Sequence, residues 1–144
     1  MATKSRSTID LNLLKTVPIF SSCSQKEIGA IGRIAKEVHF DPGAAICREG
    51  ETGIGLHIVV EGETKVQIGG RTRRRLGPGA FFGEVAVLDG GPRTATVIAE
   101  TPVRTLSIPS WSFKSLLKSQ PSLSTKMLEE VCRRLRTSEA SLNY

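Results

Sequence analysis

The chain has 144 residues, a length typical of one domain and too short for a multidomain enzyme. Hydrophobic residues make up 39% and charged residues 24%, a balance that argues against wholesale disorder. Lysine and arginine outnumber aspartate and glutamate by 20 to 14, and the resulting net charge of +6 indicates an anionic partner, which can be nucleic acid, a membrane surface or a phosphate ligand. We therefore expect residues 1–144 to form a single domain.

The N-terminal part of the chain carries helix signals. Residues 1–9 are polar and basic, bury little, and are predicted to be flexible. Over residues 10–36 we expect N-terminal helices, with a short first helix that breaks at Pro18. A second helix is predicted to follow Ser24, because Glu27 stands three residues later as in a capping box.

From residue 37 to residue 108, short β-like runs alternate with turn residues. The runs AAICRE, IGLHIVV, TKVQI, RTRRRL, TATVIA and VRTLSI have lengths typical of strands. Gly69-Gly70, between two of these runs, is typical of a tight hairpin. Several strands at this spacing predict a sandwich or a small barrel.

Residues 109–139 return to helical patterns. After Pro121, one face of the last helix is predicted to be apolar and the opposite face to be solvated. The apolar face comprises Leu123, Met127, Leu128, Val131 and Leu135, and the polar face Lys126, Glu129, Glu130, Arg133, Arg134 and Arg136. The sequence therefore predicts an α+β, mainly β fold in which helices flank a β-roll.

The segment from Gly77 to Val97 differs from the other breaks between strands. A short helix beginning near Gly83 would present free N–H groups, and the glycine would let a ligand approach the backbone closely. Glu84 and Arg93 flank this turn. An arginine binds phosphate through two charge-assisted hydrogen bonds, and a glutamate accepts hydrogen bonds from hydroxyl groups. A ligand with a phosphate and a sugar hydroxyl suits the pair, whereas an ordinary surface ion pair is the alternative.

Residues 82–97, FGEVAVLDGGPRTATV, resemble the phosphate-binding cassette of the cyclic nucleotide-binding domain family, which includes catabolite activator protein and protein kinase A regulatory subunits. The family pattern is FGE, a small residue two positions on, and then PR-x-A-[TS]-V after a short loop. The matching positions are Phe82, Gly83, Glu84, Ala86, Pro92, Arg93, Ala95, Thr96 and Val97. The resemblance covers about residues 12–138 and is to a stand-alone or excised domain of the bacterial type.

This resemblance implies an eight-stranded antiparallel, jelly-roll-like β-roll with N-terminal helices, a short phosphate-binding helix and two C-terminal helices. It implies that Glu84 binds the ribose 2′-hydroxyl and that Arg93 binds the cyclic phosphate. The remaining implied ligand-binding residues are Gly83, Val85, Ala86, Thr94 and Ala95. The Thr94 hydroxyl can serve the phosphate or the base, and it leaves the choice between cAMP and cGMP open.

Three further features accompany the cassette. His57 stands where many family members have an aromatic residue, and we expect it to be a strand histidine with a satisfied hydrogen bond. The run Arg71–Arg75 is either a docking patch for nucleic acid or an acidic protein, or a solvated strand face, with Arg74 on the opposite face from its neighbours. In the family the last helix can cap the base, and the residues considered for this contact are Arg133, Leu135 and Arg136.

Catalysis and metal binding lack comparable motifs. The sequence has no GxSxG elbow, HExxH or P-loop, and Cys23, Cys47 and Cys132 form no CxxC pair. No secretory signal opens the chain, and no run reaches the ~18 apolar residues of a membrane span, so we expect a cytoplasmic protein that does not contact a membrane.

The predicted function is that of a non-enzymatic sensor with cAMP or cGMP as its ligand and no other cofactor. We expect its C-terminal helices to relay ligand occupancy to an unknown effector protein. The chain is expected to be a monomer or weak dimer without direct nucleic-acid binding, since its length leaves room for a sensor but not for an output domain. Two alternatives stay open, namely the ligand-sensing fragment of a DNA-binding regulator, kinase or channel, and a domain that has lost its ligand and only binds proteins.

Overall fold

Nine strands and five helices follow one another along the residues that the computed structural model describes, which are 2–5, 11–17, 20–21, 23–52 and 55–141. The N-terminal elements are β1 (Ala2–Ser5), α1 (Leu11–Lys15) and α2 (Gln25–Ile34). The central elements are β2 (Lys36–Phe40), β3 (Ala45–Cys47), β4 (Gly55–Glu61), β5 (Thr64–Ile68), β6 (Arg71–Leu76), β7 (Phe81–Phe82), α3 (Glu84–Asp89), β8 (Thr96–Ala99) and β9 (Val103–Pro109). The last two helices are α4 (Ser110–Ser119) and α5 (Pro121–Ser141).

The strands form two antiparallel sheets. One has the order β1-β2-β9-β4-β7 and the other the order β3-β8-β5-β6. Strands β2 to β9 make up the predicted eight-stranded roll, with α3 inserted between β7 and β8 and helices before and after it. The predicted fold class is therefore confirmed.

The N-terminal segment differs from the expectation in two places. Residues 1–9 were predicted to be flexible, yet β1 pairs antiparallel with β2 in the register Ala2↔Phe40 to Ser5↔Glu37. The edge of a sheet presents unpaired backbone N–H and C=O groups, which can receive such a partner. Helix α2 ends at Ile34, before the predicted limit at residue 36, because the chain enters β2 at Lys36.

The predicted start of α2 is confirmed. The Glu27 N–H donates to the Ser24 hydroxyl at 3.1 Å, and the Ser24 N–H donates to the Glu27 carboxylate at 2.8 Å. These reciprocal bonds form the capping box and satisfy two donors that the first turn of a helix otherwise leaves unpaired. The predicted break at Pro18 lies outside the described residues.

The hairpin between β5 and β6 turns at Gly69-Gly70, as predicted. Both glycines have left-handed φ values, +60° and +78°, which a two-residue hairpin turn with the right twist requires. A register shift opposite Val66 and Gln67 pairs these residues with Arg74 and Thr72, so the simple alternation predicted for the arginine run is interrupted at Arg73. The shift matters for the site because it fixes which arginine stands opposite Val66.

The C-terminal helices close one side of the roll. Phe113 of α4 and Leu123 and Met127 of α5 are buried in one cluster with Leu56 of β4 and Ile108 of β9. Packing of these apolar side chains holds both helices against the first sheet.

The predicted apolar face of α5 is only partly correct. Leu128 and Leu135 are 62% and 57% exposed, whereas the side chains of Glu130 and Arg134, predicted to be solvated, are only 17% and 15% exposed. Arg134 lies seven residues after the buried Met127, so both side chains lie on the same face of the helix. The face that packs on the roll is therefore rotated by one residue from the predicted one, and it brings charged groups inward.

Candidate functional site

Helix α3 begins where the sequence predicted a short helix. Its N-cap residue, Gly83, has φ +91°, a left-handed conformation that favours glycine. The Val87 N–H donates to the Gly83 carbonyl at 3.2 Å and closes the first turn. The N–H groups of Glu84, Val85 and Ala86 precede this bond, so they have no acceptor within the helix and remain available to a ligand.

The Arg93 guanidinium is buried beside Gly83 and held by backbone carbonyls. Its Nη2 donates to the Gly55 carbonyl at 2.7 Å and its Nη1 donates to the Gly83 carbonyl at 3.4 Å. A Cβ at Gly83 would collide with Arg93 Nη1, so only glycine allows the arginine to lie this close to the backbone. Arg93 thus lies at the start of α3, and its implied role of binding the cyclic phosphate stays a prediction.

Glu84 is buried as well, but its partner is not Arg93. Arg134 of α5 donates from Nη1 to Glu84 Oε1 at 2.8 Å and from Nη2 to the Phe81 carbonyl at 2.6 Å. The same guanidinium lies 4.1 Å from the centre of the Phe81 ring, and its Nε contacts Glu130 Oε2 at 3.3 Å. The alternative of a Glu84–Arg93 ion pair is therefore wrong, and α5 is fastened to the site through Arg134.

These groups surround one recess. It is lined by Cys47, Val66, Arg74, Phe82, Gly83, Glu84, Val85, Ala86, Arg93, Thr94, Ala95, Val97 and Arg134. All seven residues predicted to bind ligand are in this set, so the structure brings them together. The volume of the recess is about 60 Å³, far below the roughly 300–1,000 Å³ of pockets that enclose small molecules. A second recess, of about 660 Å³, shares Arg74 and Arg134 with the first and is otherwise lined by residues of the Leu76–Phe81 segment and of α5.

The helix residues considered for contact with a base are not the ones that reach the recess. The Arg133 side chain is 70% exposed and pairs with Glu130, and Leu135 and Arg136 are also exposed. Arg134 reaches the recess instead, because the packed face of α5 is rotated, and a contact of Arg133, Leu135 or Arg136 with a base stays a prediction. Met127 and Arg134 lie seven residues apart, but Leu128 and Leu135 have the same spacing, so the helical periodicity does not single out Arg134.

Arg74 and Cys47 also line the recess without having been predicted there. Arg74 belongs to the arginine run, whose other members project from an exposed strand, where Arg75 pairs with Glu100 at 2.8 Å. The Cys47 thiol contacts the Ala95 carbonyl at 3.7 Å, and burial raises the pKa of this thiol. A thiol with a raised pKa stays protonated, so Cys47 is an uncharged residue of the recess lining.

His57 lies behind the recess in an aromatic sandwich. Its ring stacks on Phe82 with centroids 5.2 Å apart and meets Phe40 edge-on at 6.4 Å. Burial, with a smaller contribution from the charge of Arg93, lowers the pKa of His57 to about 4. The expected satisfied hydrogen bond is wrong for Nδ1, which is buried and has no partner among the described residues.

The described residues also bear on metal binding and on membrane insertion. Nowhere in the described ranges do three or more histidine, cysteine, aspartate or glutamate side chains come together as a group able to hold a metal ion. Of the helices within those ranges, none combines the length and the apolar character needed to cross a membrane.

Curated proteins have sequences similar to most of this chain. The chain is 40% identical over 111 residues to a cyclic nucleotide-gated potassium channel of Mesorhizobium japonicum, an alignment that covers 77% of the chain and 31% of the channel. It is 33% identical over 137 residues to a CRP-like cAMP-activated global transcriptional regulator of Mycobacterium tuberculosis, covering 90% of the chain and 60% of the regulator. The chain thus spans less than two thirds of either relative.

Solved structures share the fold. The catabolite activator protein of Thermus thermophilus superposes with a TM-score of 0.79 at 27% identity, over 88% of this chain and 62% of that one. The cAMP-bound PfPKA-R superposes with a TM-score of 0.80 at 25% identity, over 92% of this chain and 45% of that one. A family model for the cyclic nucleotide-binding domain matches residues 37–120. The chain therefore belongs to the cyclic nucleotide-binding domain family, whose ligands are cAMP and cGMP.

Proposed function

We propose that this domain is a non-enzymatic sensor that binds a cyclic nucleotide in the recess between α3 and the second sheet. The observation that carries the proposal is that the residues of the phosphate-binding cassette lie together around one recess. Gly83 and Arg93 lie in contact, Glu84 is buried next to them, and the backbone donors of the first turn of α3 face the same recess. A phosphate and a sugar hydroxyl are the two groups that these residues are suited to bind.

The phosphate is proposed to bind between Arg93 and the start of α3. A guanidinium and several free N–H groups supply donors from two directions, and both favour an anion. Thr94 and Ala95 follow Arg93 directly and line the recess, so their backbone and the Thr94 hydroxyl complete this end of the site.

The ribose is proposed to bind at Glu84. A carboxylate accepts hydrogen bonds from hydroxyl groups, and Glu84 is 11% exposed, with its Oε1 already taken by Arg134. Because Arg134 lines the recess and occupies the Glu84 oxygen that is proposed to receive the ribose hydroxyl, we infer that ligand entry displaces this side chain. The hydroxyl of the ligand then competes with Arg134 for the carboxylate.

Signal relay follows from the same contact. Arg134 ties α5 to α3 and to the Phe81 carbonyl, so a ligand that releases Arg134 also loosens α5 from the roll. A ligand can shift this equilibrium only by its difference in affinity for the two states, and the contact of its hydroxyl with Glu84, which requires release of Arg134, is proposed to supply that difference. We propose that the released helix changes the surface offered to an effector protein.

The wider role depends on the protein in which the domain works. The channel and the regulator among its relatives support the view that such a domain serves as the sensory part of a larger protein. We propose this sensory role, alone or within a longer chain, without direct nucleic-acid binding by the domain itself. Gel-shift titrations across a range of salt concentrations test that point, and tight sequence-selective DNA binding would contradict it.

Direct calorimetry with cAMP and cGMP tests the ligand proposal. Arg93→Ala is expected to weaken binding by about 2 to 3 kcal/mol, or about 30- to 140-fold, because a buried anion loses its charged partner. Arg93→Lys keeps the charge but not the bidentate geometry, so we expect a loss of affinity between those of the wild type and Arg93→Ala.

Arg73→Ala is the matched control, since it removes one positive charge from an exposed strand position outside the recess. Unchanged affinity in folded Arg93→Ala protein, or no binding of either nucleotide by the wild type at high micromolar concentration, would overturn the proposal.

A further inference from the structure

Strand β6 forms a free edge of the second sheet. The order of that sheet is β3-β8-β5-β6, so within the described part of the chain β6 pairs on one side only, with β5. The other side of an edge strand presents a row of unpaired backbone N–H and C=O groups, which can bind a further strand. The residues of β6 from Arg71 to Arg75 are all exposed, so this edge is open to solvent.

The edge is positively charged. Arg71, Arg73 and Arg75 lie along it, and Lys65 of β5 stands opposite Arg75. Arg75 pairs with Glu100 at 2.8 Å, whereas no hydrogen bond or ion pair among the described residues engages the side chain of Arg71 or Arg73. These two guanidinium groups are therefore available to the carboxylates of a partner.

The charges stand on both faces of the sheet edge. Residues directly opposite one another on antiparallel strands share a face. Arg71 is opposite Ile68 and Arg75 is opposite Lys65, and these two β5 residues lie on different faces because side chains alternate along a strand. Arg73 has no cross-strand partner in β5, since the register shift passes over it. A partner that covers one face leaves part of this charge unpaired, whereas a strand added at the edge meets both groups.

Charge and composition select among the possible occupants of this edge. Two β6 strands from two copies of the chain would set arginines beside arginines, and like charges opposite one another destabilise a sheet. Single-stranded nucleic acid lacks a stacking platform here, because neither β5 nor β6 contains an aromatic residue. An extended peptide with acidic side chains on both faces supplies backbone partners and opposite charge together.

We propose that β6 is a docking edge for an acidic, extended segment of a partner protein, which adds to the second sheet beside β6. Backbone hydrogen bonds hold the segment in strand conformation, and Arg71 and Arg73 select for carboxylates. A strongly acidic segment is unfolded on its own and orders only on binding, so its affinity is modest and falls as the salt concentration rises. The inference does not rest on the proposed function, because neither arginine lines the recess.

The test titrates the whole chain into a fluorescein-labelled peptide of sequence TEEVEET with blocked ends and follows its anisotropy. A second peptide of the same sequence carries an N-methyl group on every glutamate, which keeps the charge but removes backbone donors from both edges of the peptide. We expect the first peptide to bind and to slow amide hydrogen exchange over residues 71–76. The methylated peptide should bind about tenfold more weakly or worse, since it loses backbone hydrogen bonds.

Two double variants locate the binding site. Arg71→Gln/Arg73→Gln should weaken binding of the unmethylated peptide by about tenfold, the equivalent of two exposed ion pairs near the upper end of their usual range. Lys114→Gln/Lys118→Gln is the matched control, because it removes the same charge from exposed positions on α4, and its affinity for the peptide should equal that of the wild type.

Several results would overturn the proposal. Equal binding of the two peptides would show that charge alone attracts them without strand pairing. Unchanged affinity in Arg71→Gln/Arg73→Gln, or the absence of peptide binding at millimolar concentration, would exclude this edge as the docking site. Vesicles of phosphatidylcholine and phosphatidylserine and a random-sequence DNA duplex are titrated alongside. Tighter binding of either one than of the peptide would assign the arginines to a membrane or to nucleic acid.

Discussion

Replacing His57 by phenylalanine should make the domain less sensitive to acid. The histidine ring is held neutral between Phe40 and Phe82, with a pKa lowered to about 4 by burial and by Arg93. In the unfolded chain its pKa returns to about 6.5. Between these values the unfolded state binds a proton that the folded state does not, so the free energy of unfolding falls as the pH drops from about 6.5 to about 4.

The size of the effect follows from the difference in pKa. A shift from 6.5 to about 4 corresponds to about 3 kcal/mol, since each pKa unit is worth about 1.4 kcal/mol. That is a large fraction of the roughly 5–15 kcal/mol that stabilises a typical domain. Phenylalanine keeps an aromatic ring in the stack and carries no titrating group. The His57→Phe variant should therefore lack this part of the pH dependence, even if its free energy of unfolding at pH 7 differs from that of the wild type.

Urea unfolding at pH 7.0, 5.5 and 4.2 measures the effect. The loss of unfolding free energy between the highest and the lowest pH should be smaller in His57→Phe than in the wild type by about 2 to 3 kcal/mol. His39→Gln is the control, because His39 is exposed, and contributions from other groups such as Glu27 cancel in the comparison. Equal pH dependence in His57→Phe and wild type would refute the assignment of a buried neutral histidine.

Two other predictions concern the ligand site. Gly83→Ala and Gly90→Ala both place a side chain at a left-handed position, which costs roughly 1–2 kcal/mol of stability each. Only the first pushes against Arg93, so calorimetry should find ligand affinity lost in Gly83→Ala and kept in Gly90→Ala, and equal affinities would contradict the proposed phosphate site. Arg134→Met should raise the affinity for a cyclic nucleotide by about fivefold, because a competing contact of roughly 1 kcal/mol is removed. A fall in affinity would instead make Arg134 a ligand partner.

The features that the sequence predicted correctly are those governed by short-range rules. Ser24 and Glu27 form a capping box because both partners stand within one helical turn. Gly69-Gly70 makes a hairpin turn because only left-handed residues join two twisted strands this closely. The cassette could be predicted for the same reason, since its residues lie within one segment and meet around α3.

The features that were missed depend on how distant elements pack. On α5, the pairs Met127–Arg134 and Leu128–Leu135 have the same seven-residue spacing, and helical periodicity alone does not say which pair faces the roll. The more apolar pair is the natural prediction, yet the structure turns Arg134 inward because Glu84 and the Phe81 carbonyl receive its charge. The position of Arg74 at the recess likewise depends on its pairing with Val66, which a local pattern does not specify.

The tight anchoring of Arg93 has a consequence for how a ligand is recognised. Gly50 N–H donates to the Arg93 carbonyl at 2.9 Å, Arg93 N–H donates to the Glu51 carbonyl at 2.9 Å, and the guanidinium is fixed on Gly55. A free arginine side chain carries about 2 kcal/mol of rotamer entropy, and here that entropy is given up when the chain folds rather than when a ligand binds. The arginine is therefore preorganised for its anion, and variants that loosen the turn at residues 50–52 should weaken binding without touching the ligand.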